Sequence, residues 1–94
     1  MMKKERVSEI TLHYRRALGG GDQTATLRSF ANWLSEALVP HHRRISHQSI
    51  KNWTDKRYVP DHSLMKQIAE EAFHDWRGEF ATEILAVIEG DNNE

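Results

Sequence analysis

Apolar residues recur at intervals of three and four along nearly the whole chain, and three interruptions, Gly19-Gly20-Gly21, Pro40 and Pro60, cut that pattern into short pieces. A period near 3.6 gathers such residues on one side of a helix, and no stretch here alternates with period two for long. The pieces predict an all-α fold of four to five helices whose apolar stripes share a core. Val7, Ile10, Tyr14, Ala17 and Leu18 predict a first helix from about Lys4 to Leu18, stopped by the glycines. Thr24 and Thr26 are both suited to cap a second helix, on which Leu27, Phe30, Ala31, Leu34 and Leu38 fall on one side. Val39 to Arg44 has no such period and holds Pro40, which disfavours helix just before it, so the segment reads as an exposed turn. Ser46 can cap a third helix running to Trp53 or Asp55. Pro60 and Asp61 then stop one element and cap the next, from about His62 to Phe73, where Leu64, Ile68, Ala69, Ala72 and Phe73 keep the period. Residues 75–89 are apolar round more than one face, through Trp76, Phe80, Ala81, Ile84, Leu85, Val87 and Ile88. Either Asp75 caps a separate helix there, or the fourth helix continues with a bend at Gly78; Ile84 to Ile88 also has the length and composition of a short strand.

A length of 94 residues predicts one domain, residues 1–94, around a single core. The absence of cysteine excludes disulfides, thiol chemistry and cysteine zinc sites, leaving burial to hold the fold. No apolar run approaches the roughly 18 residues that a membrane span needs. Met1-Met2-Lys3-Lys4 leads into a polar helical pattern rather than an apolar leader, so a cytoplasmic protein is expected. Net charge is −1, but it is unevenly placed: residues 40–66 hold six Lys/Arg against two acids, while residues 67–94 hold eight acids against Arg77 alone. A basic middle points to an anionic partner for that part of the chain.

The basic middle contains ISHQSIKNW, residues 45–53, in which Ile45, Ile50 and Trp53 are spaced to face a core while His47, Gln48, Lys51 and Asn52 fall on the outer side. With FANWL before it, TDKRYVP after it and LMKQIA beyond, this segment resembles the lambda-repressor and Cro family of helix-turn-helix regulators. The family's pattern runs from a Leu-Ala-x-x-Leu type segment through Val-Ser-x-x-Ser-Ile-x-x-Trp to a proline and Leu-x-x-Ile-Ala, and here Pro60 follows Trp53 by seven positions, as in that pattern. The resemblance covers residues 26–73, about half the chain. Two departures stand out: the turn LVPHHRR, residues 38–44, is longer than usual, and Lys56 occupies a position where the family favours glycine, so it must adopt another turn or tolerate a left-handed backbone.

The resemblance implies a lambda-repressor-like helix-turn-helix domain that binds double-stranded DNA and regulates transcription, with no cofactor and no catalysis. His47, Gln48, Lys51 and Asn52 would face base edges, since Gln and Asn pair with adenine N6 and N7 and Lys donates to guanine O6 and N7. Arg43, Arg44, Lys56, Arg57 and Tyr58 bracket that helix and would meet phosphates. An amphipathic core helix with a merely solvated outer face is the plain alternative for residues 46–53, and an ordinary charged loop is the alternative for the flanking residues. A helix-turn-helix reader covers a half-site, so a homodimer is expected, with Ala81, Leu85 and Ile88 as the stripe left over for a second copy. The rival expectation is a protein-interaction module, an adaptor, antitoxin-like partner or phage assembly subunit, which the acidic residues 67–94 keep open. His41, His42 and His47 lack companions at ligand spacing and read as a solvated turn rather than a metal site. No nucleophile motif or phosphate loop is present, the glycine triplet lacking the Lys-Ser/Thr that would follow it.

Overall fold

A computed structural model describes residues 2–20 and 23–90, so Gly21 of the glycine triplet lies outside the described residues. They form five α-helices and no strand: α1 (Lys3–Leu18), α2 (Leu27–Glu36), α3 (His47–Thr54), α4 (His62–Glu71) and α5 (Trp76–Glu89). The last four begin at side-chain caps. Thr26 accepts the Ser29 N–H at 3.0 Å, Ser46 the Ser49 N–H at 3.2 Å, Asp61 the Leu64 N–H at 3.1 Å and Asp75 the Arg77 N–H at 3.0 Å. Of the two threonines expected to serve α2, it is Thr26 that does so.

Gly19 ends α1 because the chain returns there at close quarters: a Cβ on it would lie 2.0 Å from the Gln23 carbonyl oxygen. Arg15 fastens the returning strand of loop, its carbonyl accepting the Ala25 N–H at 2.9 Å and its Nε donating to the Ala25 carbonyl at 3.0 Å. Ala17, expected on the apolar stripe, is exposed.

Three boundaries differ from the sequence pattern, each for a local reason. Helix α2 stops at Glu36 rather than Leu38, because Ala37 and Leu38 bond three residues back, to Leu34 and Ser35, tightening the chain. Leu38 is still fully buried, which is why its spacing looked helical. Pro40 then sits in a single 3-10 turn, Val39–His41, within the segment expected to be irregular, and His42 follows in a left-handed conformation, φ 56°. Helix α4 ends at Glu71, not Phe73, and Asp75 starts α5 as a separate helix. The break therefore falls before Gly78, which is buried in the first turn of α5, where a Cβ would lie 2.1 Å from the Ala72 carbonyl oxygen. Ile84 to Ile88 is helical throughout.

The core is assembled around Phe80 of α5. Its ring meets Tyr14 of α1 and Phe30 of α2 edge-on, each at 5.4 Å between centroids, and lies nearly parallel to Trp53 of α3 at 6.5 Å. Met65 and Ile68 of α4, with Leu34, Ile50 and Ile84, are fully buried around this cluster. Tyr14 donates its hydroxyl to Glu83, tying α1 to α5, and burial together with that carboxylate raises the phenol above its ordinary pKa. Phe73, which keeps the apolar period of the fourth helix, and Trp76, the first apolar residue of 75–89, are nevertheless 73% and 49% exposed. The turn between α4 and α5 is the cause: once α4 stops at Glu71, its face no longer dictates where residues 73 and 76 point. No described helix is long and apolar enough to cross a membrane.

Candidate nucleic-acid interface

Helix α3 has eight residues, too short to be stable alone. Its neighbours hold it from three sides. Ile50 is fully buried and Trp53 is 4% exposed, fixing the inner face against Phe80 and the core. At its end, Ser8 of α1 donates to the Thr54 carbonyl at 2.7 Å. At its start, the Ile45 N–H donates at 2.9 Å to the buried hydroxyl of Ser35, which in turn donates to the Ala31 carbonyl at 2.7 Å. One side chain of α2 thus sets where the chain enters α3, and Ala31, 2% exposed, is small on the side of α2 that packs into the core.

The C-terminal stop of α3 answers the question raised by Lys56. Its φ is 65°, so it does take the left-handed conformation in which glycine is usual. Its N–H bonds to the Trp53 carbonyl at 3.3 Å and that of Arg57 reaches back to the Asn52 carbonyl at 2.9 Å, the crossed pair of bonds that closes a helix over a left-handed residue.

Held this way, α3 turns His47, Gln48 and Lys51 to solvent, with Asn52 half-buried beside them. The Gln48 amide Nε2 donates to Asn52 Oδ1 at 3.2 Å, a single turn apart, so the two amides are aligned before any ligand arrives. Lys51 Nζ lies 2.6 Å from Asp55 Oδ2. That hydrogen bond, with the charges of Lys51 and Arg57, holds the Asp55 carboxyl below its ordinary pKa.

The flanking cations divide. Arg44 is exposed and shares a shallow pocket at the start of α3 with Arg28 and Asn32 of α2, Ser46 and His47. Lys56, Arg57 and Tyr58 are exposed beyond the other end. Arg43 goes elsewhere: its guanidinium donates to Ser63 Oγ at 3.1 Å and Gln67 Oε1 at 3.0 Å, on α4. Its neighbours in the expected phosphate set are thus placed around α3, while Arg43 joins the loop to α4. Arg28, Asn32 and Ser35 were absent from the sequence-derived site. Arg28 and Asn32 stand four apart on the side of α2 opposite Phe30 and Leu34, so projecting the capped helix onto a wheel would have found the pair. Nothing in the sequence marks Ser35, whose importance comes from a contact across ten residues.

The stripe expected to join two copies is also rearranged. Ala81 is fully buried inside its own chain, next to Phe80, so it offers no surface to a second copy. Leu85 and Ile88 are partly buried against the core and keep some exposed surface. His41 pairs with Glu71 at 2.8 Å, and among the described residues no group of three His, Cys, Asp or Glu is placed to hold a metal ion. No family model, curated protein or solved structure matches this chain.

Proposed function

We propose that the chain is a sequence-specific double-stranded DNA-binding protein, a cytoplasmic transcriptional regulator in which α2 and α3 act as a helix-turn-helix of the lambda-repressor type. The observation that carries this reading is the two-sidedness of α3: Ile50 and Trp53 anchor it in the core while His47, Gln48 and Lys51 face out, with half-buried Asn52 bonded to Gln48 beside them. Four adjacent hydrogen-bonding side chains on a rigidly held helix match what the major groove offers. Arg28 and Arg44 at one end, with Lys56 and Arg57 at the other, are the phosphate contacts of this reading. A twofold pair joined through Leu85 and Ile88 would read two half-sites about one helical turn apart. No cofactor or catalytic step enters the reading.

Selection from a random duplex library, followed by salt titration, tests it. A recovered motif whose affinity falls with salt is expected; the absence of both a motif and salt-dependent binding removes the reading. Gln48→Ala or Asn52→Ala is expected to cost about 1–3 kcal/mol on the selected site and to relax one base position. Sedimentation showing only monomer at tens of micromolar, roughly where weak dimers form, would remove the homodimer. A second reading, a protein-interaction module on the same fold, draws on a different observation: the exposed Phe73 and Trp76 among the acids of residues 67–90.

A further inference from the structure

Asp55 closes α3, and what its side chain adds to the helix is a single pair with Lys51 one turn back. The bonds that stop the helix use the backbone N–H of Asp55, which reaches the Lys51 carbonyl at 2.8 Å, and those of Lys56 and Arg57. A carboxylate at a helix C-terminus meets the negative end of the helix dipole. A lysine four residues before an acid is also the weaker order for such a pair on a helix. What the carboxylate does is take hold of Lys51, Nζ to Oδ2 at 2.6 Å, on the face that also carries Gln48 and Asn52. The charge of Lys51 is thereby partly offset by its neighbour, and when Lys51 leaves this pair for a phosphate the carboxylate is exposed to the same polyanion.

Resting on the DNA-binding reading above, we infer that Asp55 is a specificity-determining, positioning residue that withholds Lys51 from phosphates while letting it reach base acceptors. On an arbitrary duplex, Lys51 trades one carboxylate for one phosphate and leaves Asp55 repelled, so the exchange gains little. Opposite guanine O6 and N7, the ammonium, which has three N–H donors, reaches the base edge while one donor stays on Asp55, so the carboxylate is not left unpaired among the phosphates. The tether therefore lowers affinity for all the wrong sequences more than for the right one.

Asp55→Asn tests this, measured against the duplex selected by the wild-type chain and against an unrelated duplex of equal length, over a range of salt. Non-specific binding is expected to tighten roughly three- to tenfold, with the salt slope steeper by about one unit, while the selected duplex gains less, so that discrimination falls. In the Lys51→Ala background the same Asp55→Asn change is expected to lose its effect on discrimination. Equal tightening on both duplexes, or an effect that persists without Lys51, overturns the inference and leaves Asp55 a general charge; no change at all overturns it too. Thermal melting of Asp55→Asn and of Asp55→Ser checks that the fold is kept. If the wild type selects no motif and binds no duplex, the DNA reading itself has failed; a wild type that selects a motif while Asp55→Asn leaves discrimination intact refutes only the role of Asp55.

Discussion

Two surfaces of this molecule put side chains where an ordinary helical surface would not, and in opposite senses. On α3, polar groups are gathered on a helix too short to stand alone, and Ile50, Trp53, Ser8 and Ser35 hold it rigid from behind. At the α4–α5 corner, Phe73 and Trp76 stand in solvent on either side of Asp75, near the exposed Glu70, Glu71 and Glu79, and the one base of that region is turned inward. Arg77 bonds Asp75 at 2.9 Å, Glu36 at 2.9 Å and the Trp33 carbonyl at 3.1 Å, with its guanidinium over the Trp33 ring. It thereby fastens α5 to the end of α2 and leaves the corner acidic. The contrast teaches that polarity on a fixed helix and apolarity on a turn arise differently. The first follows from a helical pattern with its core face filled; the second follows from a break in that pattern which releases residues from the face they would have shared.

The largest expected effect separates the two regions by stability. Phe80→Ala should destabilise the chain by about 3–5 kcal/mol in denaturant unfolding, because the ring links α1, α2, α3 and α5. Phe73→Ser should change it by no more than about 0.5 kcal/mol; a loss comparable to that of Phe80 would make the corner part of the core and dissolve the comparison. Next, Ser35→Ala should cost about 1–3 kcal/mol by leaving the Ile45 amide without its partner in a buried position, and should weaken duplex binding beyond what unfolding accounts for. Arg28→Ala or Arg44→Ala should then reduce the salt slope by about one unit, whereas Arg43→Ala should leave the slope unchanged and lower stability through α4. A changed slope for Arg43 with unchanged slopes for the other two would invert the assignment.

Smaller still is the effect of Lys56→Gly, expected to raise stability by about 0.5–1 kcal/mol through relief of the left-handed backbone while weakening duplex binding. A gain in both would separate Lys56 from the interface. The smallest concerns acid. Asp75 is held below its ordinary pKa of 3.8, first by the Arg77 backbone N–H and then by the Arg77 side chain and its charge. Its contribution to stability is therefore complete above about pH 4 and is lost as pH falls through the lowered value, so Asp75→Asn should flatten the acid limb of a stability profile.

Much of the fold was legible because its stops are chemical. Thr26, Ser46, Asp61 and Asp75 each cap the helix that follows, and Gly19 closes the first. The outer face of α3 was legible for the same reason as its inner one, since Ile50 and Trp53 fix which side His47, Gln48 and Lys51 must occupy. What was not legible depends on distance in sequence. Phe73 and Trp76 looked like core because they are large and apolar, and only the turn at Ala72 decides otherwise. Ala81 fell on the stripe left over for a second copy, yet it is fully buried in its own chain. Arg43 and Arg44 are adjacent cations that the sequence cannot tell apart, and it is the position of Ser63 and Gln67 that separates them.

The hydroxyl of Ser35 has a consequence for how this architecture can change over evolutionary time. By joining Ala31 to Ile45 directly, it fixes the entry to α3 without reference to the chain between them. His42, exposed and already in a left-handed turn, marks a point in that chain where residues can be added or removed. Each doubling of a flexible loop costs only about 0.6 kcal/mol in closure entropy. Residues added at that exposed point therefore cost little so long as Leu38, His41 and Arg43 keep their own contacts, while the entry to α3 stays where Ser35 holds it.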